Sequence, residues 1–327
     1  MKISIAMCTY NGAHYLSEQL ASVVAQTRQP DELIICDDAS VDETLTHLQD
    51  FTRNAPFQVS VVKNPTRLGS TKNFEHAIEL CRGDVIFLCD QDDIWVETKL
   101  SVMEQQFVQR PDMDLLFTDA DLIDENGQPL GGTMWKALRF DEASKRKIRS
   151  DAAYELLDRR EVVTGATMAF RSKFKELVLP IPEDIPLIHD GWIATMISHA
   201  GKLEFIEKPL IKYRQHSAQQ LGAPAEITDA GWEISKLARL AQRPMDFGEE
   251  LKKAEAIQQR MSAMRERYQF VGKENVDHLL IHFRAREAIA AAKLTNAPVI
   301  MRELFAGRYH RYSRGFSSAV KDILRWQ

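Results

Sequence analysis

Three carboxylates fall within four positions at Asp90-Gln91-Asp92-Asp93, directly after the apolar run Val85-Ile86-Phe87-Leu88-Cys89. Carboxylates this close repel each other. A divalent cation removes that repulsion, and an oxygen-rich set suits Mg²⁺ or Mn²⁺. Because Mg²⁺ commonly binds through one or two carboxylates plus substrate phosphates, the first chemistry suggested is a metal–diphosphate site. A surface turn or helix N-cap is the competing reading, since Asp favours helix starts. A second acidic step, Asp37-Asp38-Ala39-Ser40-Val41-Asp42, follows Leu33-Ile34-Ile35-Cys36. An Asp there can accept the N3–H of a uracil or thymine, or serve a turn with a capping Ser or Asp. The glycine-rich dinucleotide fingerprint is absent from this position. Taken alone, Asp190 in His189-Asp190-Gly191-Trp192 suits a catalytic carboxylate or the N-cap of the following helix, and His189 reads as structural. Arg214 and His216 alone suit a solvated strand end and a binding role equally.

These residues sit at the ends of a repeated β-α pattern. Residues 3–8 read as a strand, Thr9-Tyr10-Asn11-Gly12 as a turn, and Tyr15, Leu16, Leu20 and Val23 recur at helical spacing. Strands are predicted at 33–36, 57–62 and 85–89, with helices after the first two. Ser40 and Asp42 are expected to cap the helix containing Leu45 and Leu48, and Asp93 to cap a helix starting near Trp95. This alternation indicates an α/β fold, a mostly parallel sheet flanked by helices. The right-handed crossover rule then puts Thr9, Asp37-Asp38 and residues 90–93 on one rim, where open sheets bind ligands. Farther along, 115–118 is a strand reaching Asp119, and 162–170 is strand-like with an interior glycine. Residues 205–206 and 210–213 make two short strands, 141–149 looks solvated, and 224–327 reads as helices.

With 327 residues the chain can bury a full core in one or two domains, and its composition is that of a globular protein. Cys8, Cys36, Cys81 and Cys89 lack zinc-ligand spacing and sit among apolar residues, so reduced core thiols of a cytosolic protein are expected. The first residues run straight into a strand pattern and do not resemble a signal peptide. No apolar run approaches the ~18 residues of a membrane span. Residues 1–221 hold 24 Lys+Arg against 34 Asp+Glu, whereas 222–327 hold 18 against 13, so a boundary is expected near Gly222-Ala223-Pro224.

The ordered set Cys8-Thr9-Tyr10-Asn11-Gly12, Asp37-Asp38-Ala39-Ser40-Val41-Asp42, Lys72-Asn73, Cys89-Asp90-Gln91-Asp92-Asp93-Ile94-Trp95, Thr164-Gly165-Ala166, His189-Asp190-Gly191-Trp192 and Tyr213-Arg214-Gln215-His216 resembles glycosyltransferase family 2, of GT-A fold. The resemblance covers roughly 1–221, the expected catalytic domain, and leaves 222–327 as a helical C-terminal extension. In style the motifs look most like the bacterial rhamnosyltransferase-like branch, which builds cell-surface polysaccharides. The resemblance implies that Thr9, Tyr10 and Asn11 line the base and ribose pocket with Asp38 on the base. Lys72 would stand near the nucleotide, in place of the family's frequent arginine. Asp92 would bind a divalent cation, Mg²⁺ or Mn²⁺, with Asp90 near both the ribose and the metal and His216 beside it, and Arg214 would close over the diphosphate. Asp190 would be the catalytic base; the family's acidic pair is here His189-Asp190, so its first member departs from the pattern.

The implied activity is inverting transfer of a sugar from a nucleoside diphosphate donor, dTDP-rhamnose by preference, to a saccharide or lipid-linked glycan acceptor. One carboxylate suffices as base because the leaving diphosphate departs with a cation's help, whereas a hydrolase generally needs a paired acid. A nucleotidyltransferase would need a glycine-rich, lysine-containing N-terminal loop that is missing here. A non-catalytic nucleotide-sugar-binding or assembly subunit stays open at this point. The basic-aromatic stretch 305–316 suits either a peripheral membrane contact, which with the tail spans 305–327, or packing on its own domain or a homodimer partner. The acidic main domain speaks against nucleic acid. A cytoplasmic protein, peripheral at the inner face of the plasma membrane, fits these expectations.

Overall fold

The computed structural model describes residues 1–217, 247–291 and 297–324. The expected boundary near 222–224 and the last residues of 305–327 lie outside them. The chain opens β1 (Ile3–Thr9), α1 (Ala13–Val24), β2 (Glu32–Asp37), α2 (Thr44–Asn54), β3 (Gln58–Lys63), α3 (Ser70–Leu80), β4 (Val85–Cys89). It continues through β5 (Ile94–Trp95), α4 (Lys99–Gln109), β6 (Leu115–Ile123), β7 (Pro129–Thr133), α5 (Met134–Leu138), α6 (Glu142–Ile148) and α7 (Tyr154–Leu157). Then follow β8 (Met168–Arg171), α8 (Lys175–Val178), α9 (His189–Ser198) and β9 (Leu203–Arg214).

The strands form one sheet in the order β3-β2-β1-β4-β8-β6-β9-β5, with β7 on β6. Strands β1 to β4 are mutually parallel. Every residue of β1, β2 and β4 is buried, which is why these strands read as unbroken apolar runs rather than alternating ones. The second half is mixed, with β8 antiparallel to β4 and β6, and β9 parallel to β6. Thr9 pairs with Asp37 and Met7 with Cys89, so β4 ends two residues short of β1 and β2, and the residues after Cys89 continue to the expected shared rim.

Three local readings need correction. Residues 162–170 do not form one strand, because Gly165–Thr167 makes a 3₁₀ turn before β8. Thr167 closes that turn, donating its N–H (3.0 Å) and its hydroxyl (2.7 Å) to the Thr164 carbonyl. The two short strands at 205–213 are one strand, β9; Pro209 has no N–H for the ladder, and the register shifts where it faces Asp119. Asp93 caps nothing: α4 begins at Lys99, and the fully buried Asp93 accepts the Arg214 backbone N–H (3.0 Å). All four cysteines are buried free thiols.

The chain divides into two compact units, Met1–Glu183 with Leu187–Ala225, and Asp184–Pro186 with Glu226–Gln327. Helices Gly248–Ala263, Lys273–Ala291, Ala297–Phe305, Arg308–Tyr312 and Phe316–Leu324 make up the described part of the second unit. Arg286 grips Asp322 with two bonds (2.7 and 2.9 Å), and Tyr309 adds its hydroxyl (2.6 Å). Buried charges need such complete pairing. Tyr309 and Tyr312 thus point into the unit rather than outward, so only part of the 305–316 aromatic set is at the surface.

Candidate active site

The rim of β1, β2 and β4 opens into a cavity of about 1020 Å³ within the first unit. Thr9, Tyr10, Asn11, Asp38, Asp90, Asp92, Asp190 and His216 line it; Lys72 and Arg214 do not.

The β1 and β2 turns are built on each other. Asp37 Oδ2 accepts the hydroxyls of Thr9 (2.9 Å) and Ser40 (2.5 Å), while its Oδ1 accepts the Ser40 N–H (2.9 Å). Ser40 Oγ in turn accepts the Asn11 N–H (2.9 Å), and the Asn11 side chain accepts the Val41 N–H (2.9 Å). Ser40 and Asn11 therefore organise turns. Asp42 serves the start of α2, accepting the Thr44 N–H (3.0 Å). Asp38 Oδ1 accepts from Asn64 Nδ2 (3.0 Å) and the Leu68 N–H (2.7 Å), and its Oδ2 from the Gly69 N–H (2.9 Å).

Gln91, between the two carboxylates, clasps the β1 turn. Its carbonyl accepts the Tyr10 N–H (2.8 Å), and its amide donates to the Tyr10 carbonyl (3.1 Å). A Cβ at Gly12 would lie 2.1 Å from Gln91 Oε1, so only glycine fits beneath this clasp. Arg67 lays its guanidinium 4.0 Å from the Tyr10 ring centroid and lines the cavity. It is the cation this region supplies. Lys72, on α3, turns instead to Glu75 (2.9 Å) and to the Ile181 carbonyl (2.9 Å), which corrects its expected place beside the nucleotide.

Asp92 Oδ2 lies 2.8 Å from His216 Nε2, and the His216 ring packs 4.7 Å from Tyr15. Arg214 is buried rather than poised over the cavity, a second correction. Its Nε donates to the Asp92 carbonyl (2.8 Å), Nη1 to the Glu125 carbonyl (3.1 Å), and Nη2 pairs with Glu18. Its fixed donors therefore tie the acidic loop to the turn after β6 and to α1.

Asp190 sits in the first turn of α9. Its Oδ2 accepts the Gly165 N–H (2.8 Å) and its Oδ1 the Gly191 N–H (2.7 Å). A Cβ at Gly165 would meet His189 at 3.1 Å and Asp190 at 3.3 Å, so the glycine lets the 164–167 turn come this close. His189 is buried and stacked on Phe74 (3.9 Å), and burial lowers its pKa, so it is a neutral packing ring. Beneath the acidic loop, Lys99 is fully buried with its Nζ on the Ala166 carbonyl (2.6 Å) and 3.8 Å from the Trp95 ring. Burial pushes its pKa down to about 7.

The carboxylates feel one another. Burial, then the charges of Asp92 and Asp190, push Asp90 up to about 8. Burial, then the charges of Asp92 and Asp90, hold Asp93 well above the carboxylate range. A folded-state pKa raised above the unfolded one favours folding at low pH, and that advantage is lost as pH rises through about 8. Asp90→Asn in metal-free buffer is therefore expected to stabilise the fold, with a gain that grows from pH 4 to pH 8. The gain should reach about 1–3 kcal/mol, less than the full shift implies because water reaches part of the side chain. Thermal melts across that range check it; a gain independent of pH would show that burial and neighbouring charge do not hold Asp90 above the carboxylate range.

Among the described residues, no three His, Cys, Asp or Glu side chains converge as a complete metal cage. The donor set still fits a hard divalent cation. Asp92 with Asp90 offers carboxylate oxygens under mutual repulsion, and a cation such as Mg²⁺ characteristically completes its shell with phosphate and water. Arg67, Gln91 and Lys99 were not foreseen as site residues. Arg67 lies in the irregular loop Asn64-Pro65-Thr66-Arg67-Leu68-Gly69, where no periodicity marks it.

A glycosyltransferase of Nostoc sp., itself uncharacterised, is 28% identical over 234 residues, covering 70% of this chain and 69% of its own. The dTDP-rhamnosyl transferase RfbG of Shigella flexneri is 28% identical over 230 residues, 66% of this chain and 74% of that one. The chain spans only 59% of the mycobacterial relatives it matches. In three dimensions it matches Staphylococcus aureus TarS residues 1–349 in complex with UDP-GlcNAc with a TM-score of 0.58, covering 100% of this chain and 89% of that one at 17% identity. That likeness establishes a shared GT-A fold. The model of glycosyl transferase family 2 matches residues 4–178, more than half of the sequence, and the chain belongs to that family.

Proposed function

We propose that the chain is an inverting, divalent-cation-assisted glycosyltransferase that moves a sugar from a nucleoside diphosphate to a saccharide or lipid-linked glycan acceptor. What supports this most is that Asp38, Asp92 and Asp190 line one cavity, although they come from three distant parts of the sequence. Asp38 would receive the base, and Asp92 with Asp90 and His216 would hold the cation. When bound, the cation supplies charge neutralisation at the diphosphate. Arg67 adds a positive charge in the same cavity, a stabilisation that is strong in a partly desolvated site.

In the proposed step, Asp190 takes the proton of the acceptor hydroxyl as its oxygen attacks the anomeric carbon. The bond from that carbon to the phosphate oxygen breaks, and its electron pair leaves with the nucleoside diphosphate. Asp190 is held by two backbone N–H groups, so its remaining lone pairs are aimed without rotation of the side chain.

Relatives of equal identity carry different donors in their names. RfbG is a dTDP-rhamnosyl transferase, and Escherichia coli WfgD, 28% identical over 124 residues, is a UDP-Glc-dependent glucosyltransferase acting on a diphosphoundecaprenol-linked sugar. We infer dTDP-rhamnose as the first donor to test, cell-surface polysaccharide as the setting and the cytoplasm as the place of action. A panel of nucleotide sugars with Mg²⁺ or Mn²⁺ should raise the melting temperature for one donor, since ligand at 100 times Kd adds about 2.7 kcal/mol. The same donor should then be hydrolysed or transferred. Binding without turnover for every donor would leave a nucleotide-sugar-binding subunit instead.

A further inference from the structure

The helices Ala297–Phe305, Arg308–Tyr312 and Phe316–Leu324 divide their side chains sharply. The two acidic residues of this stretch, Glu303 and Asp322, are 0% and 2% exposed. Both are taken inside the unit, Glu303 by Arg308 (2.7 Å) and His282 (3.1 Å), Asp322 by Arg286 and Tyr309. What faces solvent on these helices is therefore apolar, cationic or neutral polar, without a carboxylate. Met301 and Phe305, one helical turn apart, are 46% and 84% exposed, and Phe316, Val320 and Ile323, at helical spacing, are 66%, 48% and 43% exposed. The two helices that carry these stripes pack on each other. Arg302, Arg311, Arg314 and Lys321 are exposed on the same stretch, and among the described residues 297–324 no carboxylate is.

Single exposed apolar residues are ordinary, but adjoining stripes of large ones are not. Exposed cations without an exposed carboxylate on these three helices narrow the partner. A protein surface presents both signs, whereas an anionic bilayer takes apolar side chains into its interface and cations at its headgroups. We propose that this face docks on membranes containing anionic lipid. The proposal goes beyond sugar transfer and does not depend on it.

The test is co-sedimentation of the full chain with phosphatidylcholine vesicles, with and without phosphatidylglycerol, free of any glycan and at low and high salt. Binding should require phosphatidylglycerol and weaken with salt. Phe305→Ser with Phe316→Ser, and separately Arg302→Gln with Arg314→Gln, should each lower partitioning about tenfold or more. Unchanged melting curves would show that both variants fold, and the arginine pair carries the test if the phenylalanine pair does not. Equal binding to neutral vesicles, no binding at all, or a dimer that the phenylalanine substitutions dissociate would each overturn the proposal. The last outcome would make the face a contact between two copies. Because the vesicles hold no acceptor and the assay no donor, failure here leaves the transferase reading intact.

Discussion

Asp190→Asn is expected to cut sugar transfer by about 10²–10⁴-fold, the usual worth of a general base. Donor affinity should stay within about twofold, because the positions proposed for base, ribose and diphosphate lie at the ends of β1, β2 and β4 rather than on α9. The amide keeps the size of the side chain but loses the acceptor for the incoming proton. It also turns a donor towards one of the two N–H groups, Gly165 or Gly191, that now seat the carboxylate. Single-turnover rates together with donor titration separate the two effects. Near-normal transfer by this variant would show that Asp190 is not the base.

Lys99→Met is expected to damage both stability and turnover, although Lys99 does not line the cavity. Its ammonium donates to the carbonyl of Ala166, in the turn whose Gly165 N–H positions Asp190. The same side chain lies under the strand end that carries Cys89, Asp90 and Asp93, and those groups partly offset what burial does to it. Methionine keeps the stem and removes the donor. A buried carbonyl without a partner costs about 1–3 kcal/mol. A base displaced by about 1 Å can lose up to about 100-fold in rate. We expect kcat to fall about 10- to 100-fold with donor affinity little changed, and Lys99→Arg to restore part of the loss. A Met variant with full kcat and an unchanged melting temperature would reduce Lys99 to a space-filler.

The β-α half of the fold was legible because β1, β2 and β4 are buried on both faces, so each writes itself as an apolar run ending in polar residues. Parallel pairing then brings the strand ends to one rim, which is how Thr9, Asp38 and Asp92 could be placed together from the sequence. The misplaced residues failed for different physical reasons. Lys72 had the right charge, but Glu75 stands three residues on along the same helix, a pairing visible in the sequence. Arg214 could not be read, because its acidic partner, Glu18, is 196 positions away on α1. Asp93 looked like a cap until β5 was seen to separate it from α4. The 305–316 stretch mixed two destinations, since the helix break at Gly307 turns Tyr309 inward while Phe305 stays outside.

Asp38 ends with less freedom than its place in the cavity wall suggests. An ionised carboxylate has about four lone-pair directions, and Asn64, Leu68 and Gly69 already occupy three of them. One acceptor direction is left, on Oδ2. A uracil or thymine ring can meet it with N3–H, but a cytosine ring presents a bare nitrogen at that position and would set lone pair against lone pair. If the base rests here, a donor built on cytidine diphosphate loses this bond and must shift to offer its amino group instead, so uridine and thymidine diphosphate donors are favoured.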